Sequence, residues 1–123
     1  MGKTKVVKES KILLDVAVKG LQELKGENII CIDLQEVENA VCDYFILCTG
    51  TSNTHVSALA HFAEKEVKQT LNERPWHSEG FGNAEWIILD YVNTVIHIFQ
   101  EEARNFYNLD GLWADAKIIK IED

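Results

Sequence analysis

Residues 84–99, AEWIILDYVNTVIHIF, decide the fold because they hold two apolar runs separated by a short break. Val92 and Asn93 form the break, so the stretch predicts a β-hairpin with a tight turn. A four-residue loop would give the same strand pairing as a two-residue turn at Val92-Asn93, and a three-residue loop would break that pairing. Valine fits this turn poorly, because a type I′ turn needs a positive φ at that position. The opposed pairs in the predicted register are Asp90 with Val95, Leu89 with Ile96, Ile88 with His97, Ile87 with Ile98 and Trp86 with Phe99.

Alternation along the strands assigns each hairpin residue to one of two faces. One face is nearly all apolar and is predicted to pack on helices; it consists of Ile87, Leu89, Tyr91, Ile96 and Ile98. The other face is mixed, with two opposed aromatic residues at one end, and consists of Trp86, Ile88, Asp90, Val95, His97 and Phe99. Tryptophan and phenylalanine bury large areas in protein interfaces, so the mixed face is a candidate binding surface.

Three residues of the mixed face also have purely structural interpretations. Trp86 is compatible with a partly buried core position, and His97 with a histidine that is hydrogen-bonded inside the sheet. Asp90 stands at a strand end, where its carboxylate can accept hydrogen bonds from turn amides. The sequence leaves these alternatives open.

The flanking segments add helices and further strands to the hairpin. Apolar spacing of three to four residues and the caps Ser52, Asn53 and Thr54 predict helices over residues 10–25, 54–72 and 101–108. Short apolar runs predict strands over residues 28–34, 43–49 and 117–121. This order indicates an α/β (α+β) fold with a mixed sheet of about four to five strands and helices on at least one face.

The length of 123 residues suits one domain. Residues 10–123 are predicted to form it, after a flexible basic tail at residues 1–9.

The odd number of cysteines and the absence of a CxxC motif favour a reduced, cytoplasmic protein. No apolar run approaches the roughly 20 residues of a membrane span. The N-terminal lysines are not followed by the apolar segment of a signal peptide, so no membrane association is expected.

Charge is distributed unevenly along the chain. The net charge is −8, yet four of the twelve basic residues lie within the first eleven positions beside one acid. The remainder has eight basic and 19 acidic residues, a balance of −11. A surface that binds phosphates needs clustered lysine and arginine. The composition therefore predicts little direct contact with nucleic acid and favours a basic protein surface as partner.

The segment TGTS at residues 49–52 lies between a strand and a helix, where backbone amides can bind anions. It matches neither GxxxxGK[ST] nor GxGxxG, and a helix cap explains Ser52. A similar Gly-Ser opens nucleotidyltransferase sites, but that chemistry needs paired carboxylates to hold metal. Asp33 and Asp90 each stand unpaired in their strands. The sequence therefore predicts neither catalysis nor a bound cofactor.

The histidines and cysteines give no metal motif. His55 and His61 are six residues apart, which does not place two ligands on one helix face, and no CxxC or HExxH supports them. No metal site is predicted. A Cys-His nucleophile pair stays open, because spatial neighbours need not be neighbours in sequence.

Several sequence blocks occur in a fixed order along nearly the whole chain. They are DYFILCTGTS at residues 43–52 with His55, Glu79-Gly80, WIILDY at 86–91, VIHIF at 95–99, RNFY at 104–107, Leu112-Trp113 and Asp115-Ala116. In this order they resemble the ribosomal silencing factor (RsfS/Iojap) family over about residues 10–116. The chain departs from the family at the hairpin turn, where Val92-Asn93 replaces the usual Gly-Asp.

The resemblance implies a non-catalytic protein with a nucleotidyltransferase-like fold that lacks the metal-binding acids. It implies binding to the large ribosomal subunit through its fourteenth protein, which blocks joining of the small subunit and represses translation when nutrients are short. Tyr91 belongs to the predicted site although alternation places it on the apolar face. The predicted partner-binding residues are Trp86, Ile88, Asp90, Tyr91, Val95, His97 and Phe99.

Two other interpretations stay open. A nucleotidyltransferase-like enzyme, or a nucleotide-binding accessory protein, would use Ser52, Asp43 and Asp90 and would bind nucleotide with magnesium. A structural homodimer would associate through the same face of the sheet.

Overall fold

The computed structural model describes the backbone of residues 2–122 and the side chains of residues 11–122. It confirms the predicted α/β class, with six strands where four to five were expected. The elements in chain order are α1 (Gly2–Glu23), β1 (Glu27–Asp33), β2 (Tyr44–Gly50), α2 (Asn53–Leu71), β3 (His77–Glu79), β4 (Trp86–Asp90), β5 (Thr94–Gln100), α3 (Glu101–Tyr107), α4 (Leu109–Leu112) and β6 (Lys117–Lys120).

Three features differ from the sequence prediction. β3 and α4 were missed because they are three and four residues long, too short for an apolar period to show. α1 begins at Gly2 and not at residue 10, and no proline or glycine interrupts residues 3–19. The side chains of residues 1–9 lie outside the described residues, so the domain boundary at residue 10 stays a prediction.

The six strands form one mixed sheet in the order β3-β4-β5-β2-β1-β6. β2 and β5 pair in parallel, and the other neighbours pair antiparallel. β2 is buried along its whole length, as expected for a strand at the centre of a parallel pair with covered faces. The β4–β5 hairpin therefore joins the sheet through β5 and leaves β4 nearer the edge.

Helices cover both faces of the sheet to different extents. α1 and α2 pack on one face, where residues such as Leu21 and Leu59 share a core with Ile46 and Ile96. On the other face, Phe99 belongs to a smaller core that includes residues from α3, α4 and the segments beside them: Ala103, Leu109, Trp113 and Ala116. These short helices reach only part of their face, which leaves the β3–β4 side open.

Arg104 fastens α3 and α4 to the sheet. Its side chain is buried, with Nη1 donating to the Asn28 carbonyl (2.6 Å) and to Thr49 Oγ1 (2.8 Å). Nε and Nη2 donate to the two carboxylate oxygens of Asp110, at 3.3 and 2.9 Å. A buried guanidinium needs such a set of acceptors, and these come from β1, β2 and α4. One side chain thus sets where the smaller layer lies.

The turn that ends the first helical segment lies at Lys25 and Gly26. Lys25, not Gly26, takes the left-handed conformation (φ 59°), and the Gly26 N–H donates to the Leu21 carbonyl at 2.8 Å. A Cβ at Gly26 would lie 2.5 Å from Cys48 Sγ. The glycine is therefore required for close packing of the α1–β1 link against β2.

The hairpin turn is built around Val92. The Asn93 N–H donates to the Tyr91 carbonyl (2.9 Å) across Val92, whose φ is 75°, and the Tyr91 N–H donates to the Thr94 carbonyl (2.8 Å). The hydrogen bond from Asn93 to Tyr91 and the positive φ of Val92 define a γ-turn. This conformation is strained, and more so for a β-branched residue such as valine. The poor fit of valine to the turn is thus confirmed, and the predicted strand pairing is kept.

Replacing Val92 by glycine should relieve this strain. We expect Val92→Gly to be more stable than the matched variant Val41→Gly by about 1–2 kcal/mol. Of the two valines only Val92 has a positive φ, which is unfavourable for a residue with a Cβ. Val41 is also exposed and has no positive φ. Urea unfolding of both variants measures the difference, and equal losses of stability would show that the turn is not strained.

Candidate protein-binding site

The structure confirms the two faces predicted for the hairpin. Trp86 pairs with Phe99 and Asp90 with Val95, as the two-residue break requires. Ile87 and Leu89 are fully buried in the core that α1 and α2 cover, with α2 packed against β4. Trp86, Ile88 and Asp90 point to the opposite face and are half-buried. These three residues of β4 are the part of the predicted set that a partner can reach.

The β5 residues of the predicted set are buried, which corrects the expectation of an exposed aromatic pair. Phe99 has no exposed surface, and Val95 and His97 are 9% and 6% exposed. The reason is tertiary: β5 lies inside the sheet between β4 and β2, and Phe99 packs in the smaller core with residues of α3 and α4. Of the two opposed aromatics, only Trp86 is accessible.

Tyr91 is also corrected. It is 6% exposed and belongs to the core beneath α1 and α2, on the face opposite to Trp86. Burial raises the pKa of its phenol, and its hydroxyl has no hydrogen-bond partner among the described residues. Alternation had placed Tyr91 on the apolar face, and that placement is the correct one.

Trp86 is held on the surface by aromatic neighbours. Its ring stacks on Phe99 with centroids 5.1 Å apart and meets Tyr107 of α3 at 4.7 Å. Its indole Nε1–H donates to His97 Nδ1 at 3.0 Å. The ring is therefore packed and hydrogen-bonded but keeps part of its surface exposed, which is the environment of a typical interface anchor.

His97 is a buried, neutral imidazole. Desolvation lowers its pKa from 6.5 to about 4. Nδ1 accepts the Trp86 hydrogen bond, so the proton resides on Nε2, which has no partner among the described residues. The prediction of a satisfied histidine is therefore correct for one ring nitrogen and wrong for the other.

Asp90 stabilises the hairpin turn. Its Oδ1 accepts from the Val92 N–H at 2.7 Å, which confirms the structural interpretation of this residue. Asp90 is half-buried, and its carboxylate places negative charge on the same face as Ile88.

The missed strand β3 extends the open face. His77 pairs with Asp90 and Glu79 with Ile88, so both lie on the same face as Trp86. With Tyr107, which is 52% exposed, they complete what we term the docking surface: Trp86, Ile88, Asp90, His77, Glu79 and Tyr107. In the sequence, Glu79-Gly80 is one of the family blocks, but three polar residues after Pro75 are too few to predict a strand.

A shallow depression of about 350 Å³ adjoins the docking surface through Tyr107. Two carboxylates and two aromatic rings contribute to it, and Phe106 is 80% exposed. Its lining residues are Glu85, Gln100, Glu102, Ala103, Phe106 and Tyr107. Acids beside aromatic rings suit a lysine or arginine side chain, which combines an apolar stem with a charged end.

The TGTS segment is a structural cap. Ser52 Oγ accepts from the His55 N–H at 3.1 Å, as predicted for the N-cap of α2. His55 Nδ1 accepts from the Thr51 N–H (2.9 Å), and its Nε2 lies 2.7 Å from the Leu24 carbonyl, to which it donates. His55 therefore ties the loop after β2 to the end of α1.

The residues of the enzymatic alternative do not converge. Ser52 follows the end of β2, whereas Asp43 precedes its start, and seven residues of strand separate them by about 20 Å. Asp90 lies near the Asp43 end, because its partner Val95 pairs with Phe45.

Within the described residues, no three His, Cys, Asp or Glu side chains are grouped as metal ligands. In the same part of the chain, no helix is long and apolar enough to cross a membrane.

The family model described as "Ribosomal silencing factor during starvation" matches residues 7–123. The chain belongs to the ribosomal silencing factor family. A ribosomal silencing factor RsfS of Haemophilus influenzae is 36% identical over 102 residues, covering 83% of this chain and 98% of that protein. The RsfS of Halalkalibacterium halodurans is 32% identical over 110 residues, covering 89% and 92%.

Relatives outside bacteria and solved structures extend this picture. The mouse protein named "Mitochondrial assembly of ribosomal large subunit protein 1" is 30% identical over 106 residues, which is 85% of this chain and 46% of the mouse protein. A crystal structure from Chromobacterium violaceum superposes with a TM-score of 0.79 at 28% identity, covering 85% of each chain. One from Bacillus halodurans gives 0.75 at 27% identity, covering 92% and 99%. Both solved structures share the fold described above.

His97 should make the stability of this protein fall in acid. Its pKa is about 4 in the folded protein and about 6.5 when exposed, so between these values the unfolded chain binds more protons. The part of the unfolding free energy that depends on neutral His97 is fully present above pH 6.5 and is lost as the pH falls to 4. The loss is at most about 3 kcal/mol. Urea unfolding from pH 7 to 4 measures it as the difference between wild type and His97→Phe. Parallel pH curves for the two proteins would contradict this prediction.

Proposed function

We propose that the protein binds the large ribosomal subunit through its fourteenth protein, blocks joining of the small subunit and thereby represses translation when nutrients are limiting. Family membership supports a role at the ribosome, and the mouse relative is named for assembly of the ribosomal large subunit. The observation that carries the proposal is the docking surface: an accessible tryptophan, held by packing, on the sheet face that α3 and α4 leave open.

Charge supports a basic protein as the partner. Glu79 and Asp90 lie on the docking surface, and Glu85 and Glu102 line the depression beside it. Ribosomal proteins are rich in lysine and arginine where they meet RNA, so a ribosomal protein offers the complementary charge. The same acids disfavour contact with the phosphates of ribosomal RNA.

The acids also weigh against the homodimer alternative. Two copies that met through this face would bring Glu79 and Asp90 of each chain into one interface, and juxtaposed like charges are unfavourable. We propose a non-catalytic protein that acts in the cytoplasm, where free subunits are present to join. The separation of Ser52 from Asp43 and Asp90 supports the non-catalytic assignment.

Sedimentation with separated ribosomal subunits tests the proposal. The protein should pellet with large subunits and not with small ones, and Trp86→Ala should weaken that association by about 2 kcal/mol or more, roughly thirtyfold. Trp86→Ala should also lower stability, because the ring stacks on Phe99. Affinity and thermal midpoint are therefore measured on the same sample.

Ile87→Ala is the matched control. Ile87 is adjacent in sequence but fully buried on the other face, so its truncation should cost about 2–5 kcal/mol of stability while the folded fraction still binds. Pelleting with small subunits only would refute the proposal. So would full binding by folded Trp86→Ala beside lost binding by folded Ile87→Ala.

A charge reversal on β3 tests the kind of partner. Glu79→Lys should lower the association rate constant with large subunits about two- to fivefold and weaken its salt dependence, since rim charges act mainly on encounter. Glu23→Lys makes the same change on α1, which packs on the other face of the sheet, and should have little effect. If Glu79→Lys accelerates association, the partner surface is acidic and not basic.

A further inference from the structure

Trp86 and His97 form a diagonal pair across two neighbouring strands. Trp86 lies directly opposite Phe99, and His97 is two residues before Phe99 on the same face. The indole therefore reaches along β5 to place Nε1 3.0 Å from His97 Nδ1. Phe45 of β2 packs against the His97 imidazole in an edge-to-face arrangement, with the ring centroids 4.7 Å apart.

The hydrogen bond fixes the chemical state of both rings. An indole nitrogen can only donate, so His97 Nδ1 must be the acceptor and Nε2 must carry the proton. The ring is 6% exposed, and burial keeps it neutral at pH 7, so this acceptor is always present there. The Nε2–H points into the core without a partner among the described residues.

Packing alone does not account for a histidine at this position. A phenylalanine would fill the space between Phe45 and Phe99 without burying an unpaired N–H, which is costly. What histidine provides and phenylalanine does not is the Nδ1 acceptor. That acceptor is used by Trp86, the half-buried aromatic residue of the docking surface.

We propose that His97 is a positioning residue that fixes the orientation of the Trp86 indole before the partner protein binds. The inference rests on the proposed function, because it concerns the same surface. A side chain that is already held in its bound orientation loses less conformational freedom on association. His97 contributes from within the core, through Trp86, and does not itself reach the surface.

Two substitutions separate this role from packing. His97→Phe keeps an aromatic ring but removes the acceptor, whereas His97→Asn keeps an acceptor close to the place of Nδ1 but leaves a cavity. If His97 positions Trp86, His97→Asn should bind large subunits with less than about a twofold loss and His97→Phe with about a five- to tenfold loss. The order of thermal midpoints should be the reverse, with His97→Phe the more stable variant.

The indole N–H resonance of Trp86 reports the hydrogen bond directly. In spectra of ¹⁵N-labelled protein, it is assigned by its loss in Trp86→Phe, and Trp76→Phe identifies the resonance of the exposed Trp76. The Trp86 resonance should move toward that of Trp76 in His97→Phe and stay near its wild-type position in His97→Asn.

An unmoved Trp86 resonance in His97→Phe would overturn the proposal. It would also be overturned if the binding of the two variants followed their thermal midpoints. If wild-type protein does not sediment with large subunits, the proposed function fails. The resonance then decides by itself whether His97 orients Trp86.

Discussion

In the β4–β5 hairpin, Trp86 lies opposite Phe99 and Asp90 opposite Val95, and a slip of one residue would exchange the faces of the strand that slipped. Ile87 and Leu89 would then point away from α1 and α2, so burial of these side chains fixes the register. The strand register determines the conformation of the turn, and the turn does not determine the register. Val92 accepts a positive φ, and Asp90 accepts its amide hydrogen bond, so that the pairing can be kept.

A second constraint is the partial cover of the opposite face. Arg104 joins β1, β2 and α4, and so holds the smaller helical layer over Phe99 and Phe45. Because α3 and α4 are short, they leave β3 exposed and the outward residues of β4 half-buried, with Tyr107 of α3 against Trp86. The accessible tryptophan and the acids beside it follow from where that layer stops.

Two histidines show how differently one residue type serves this fold. His55 has both ring nitrogens in hydrogen bonds to the backbone and connects the loop after β2 to α1. His97 has one nitrogen bonded to a side chain and the other unpaired in the core. Full satisfaction suits a structural link, whereas the unpaired N–H of His97 is a cost that its packing does not explain.

The sequence by itself determined the hairpin, its register, the faces of β4, the cap at Ser52 and the family, because these depend on local alternation, capping chemistry and the order of motifs. It also indicated Trp86 as a candidate anchor, and the binding role of Trp86 stays a prediction. It did not determine that Phe99, Val95 and His97 are buried, since that depends on β5 lying inside the sheet and on α3 and α4 covering it. Nor did it show that His77 and Glu79 lie beside Ile88 and Asp90. A three-residue strand carries no period of its own, and only its pairing with β4 in the folded protein places these residues on the docking surface.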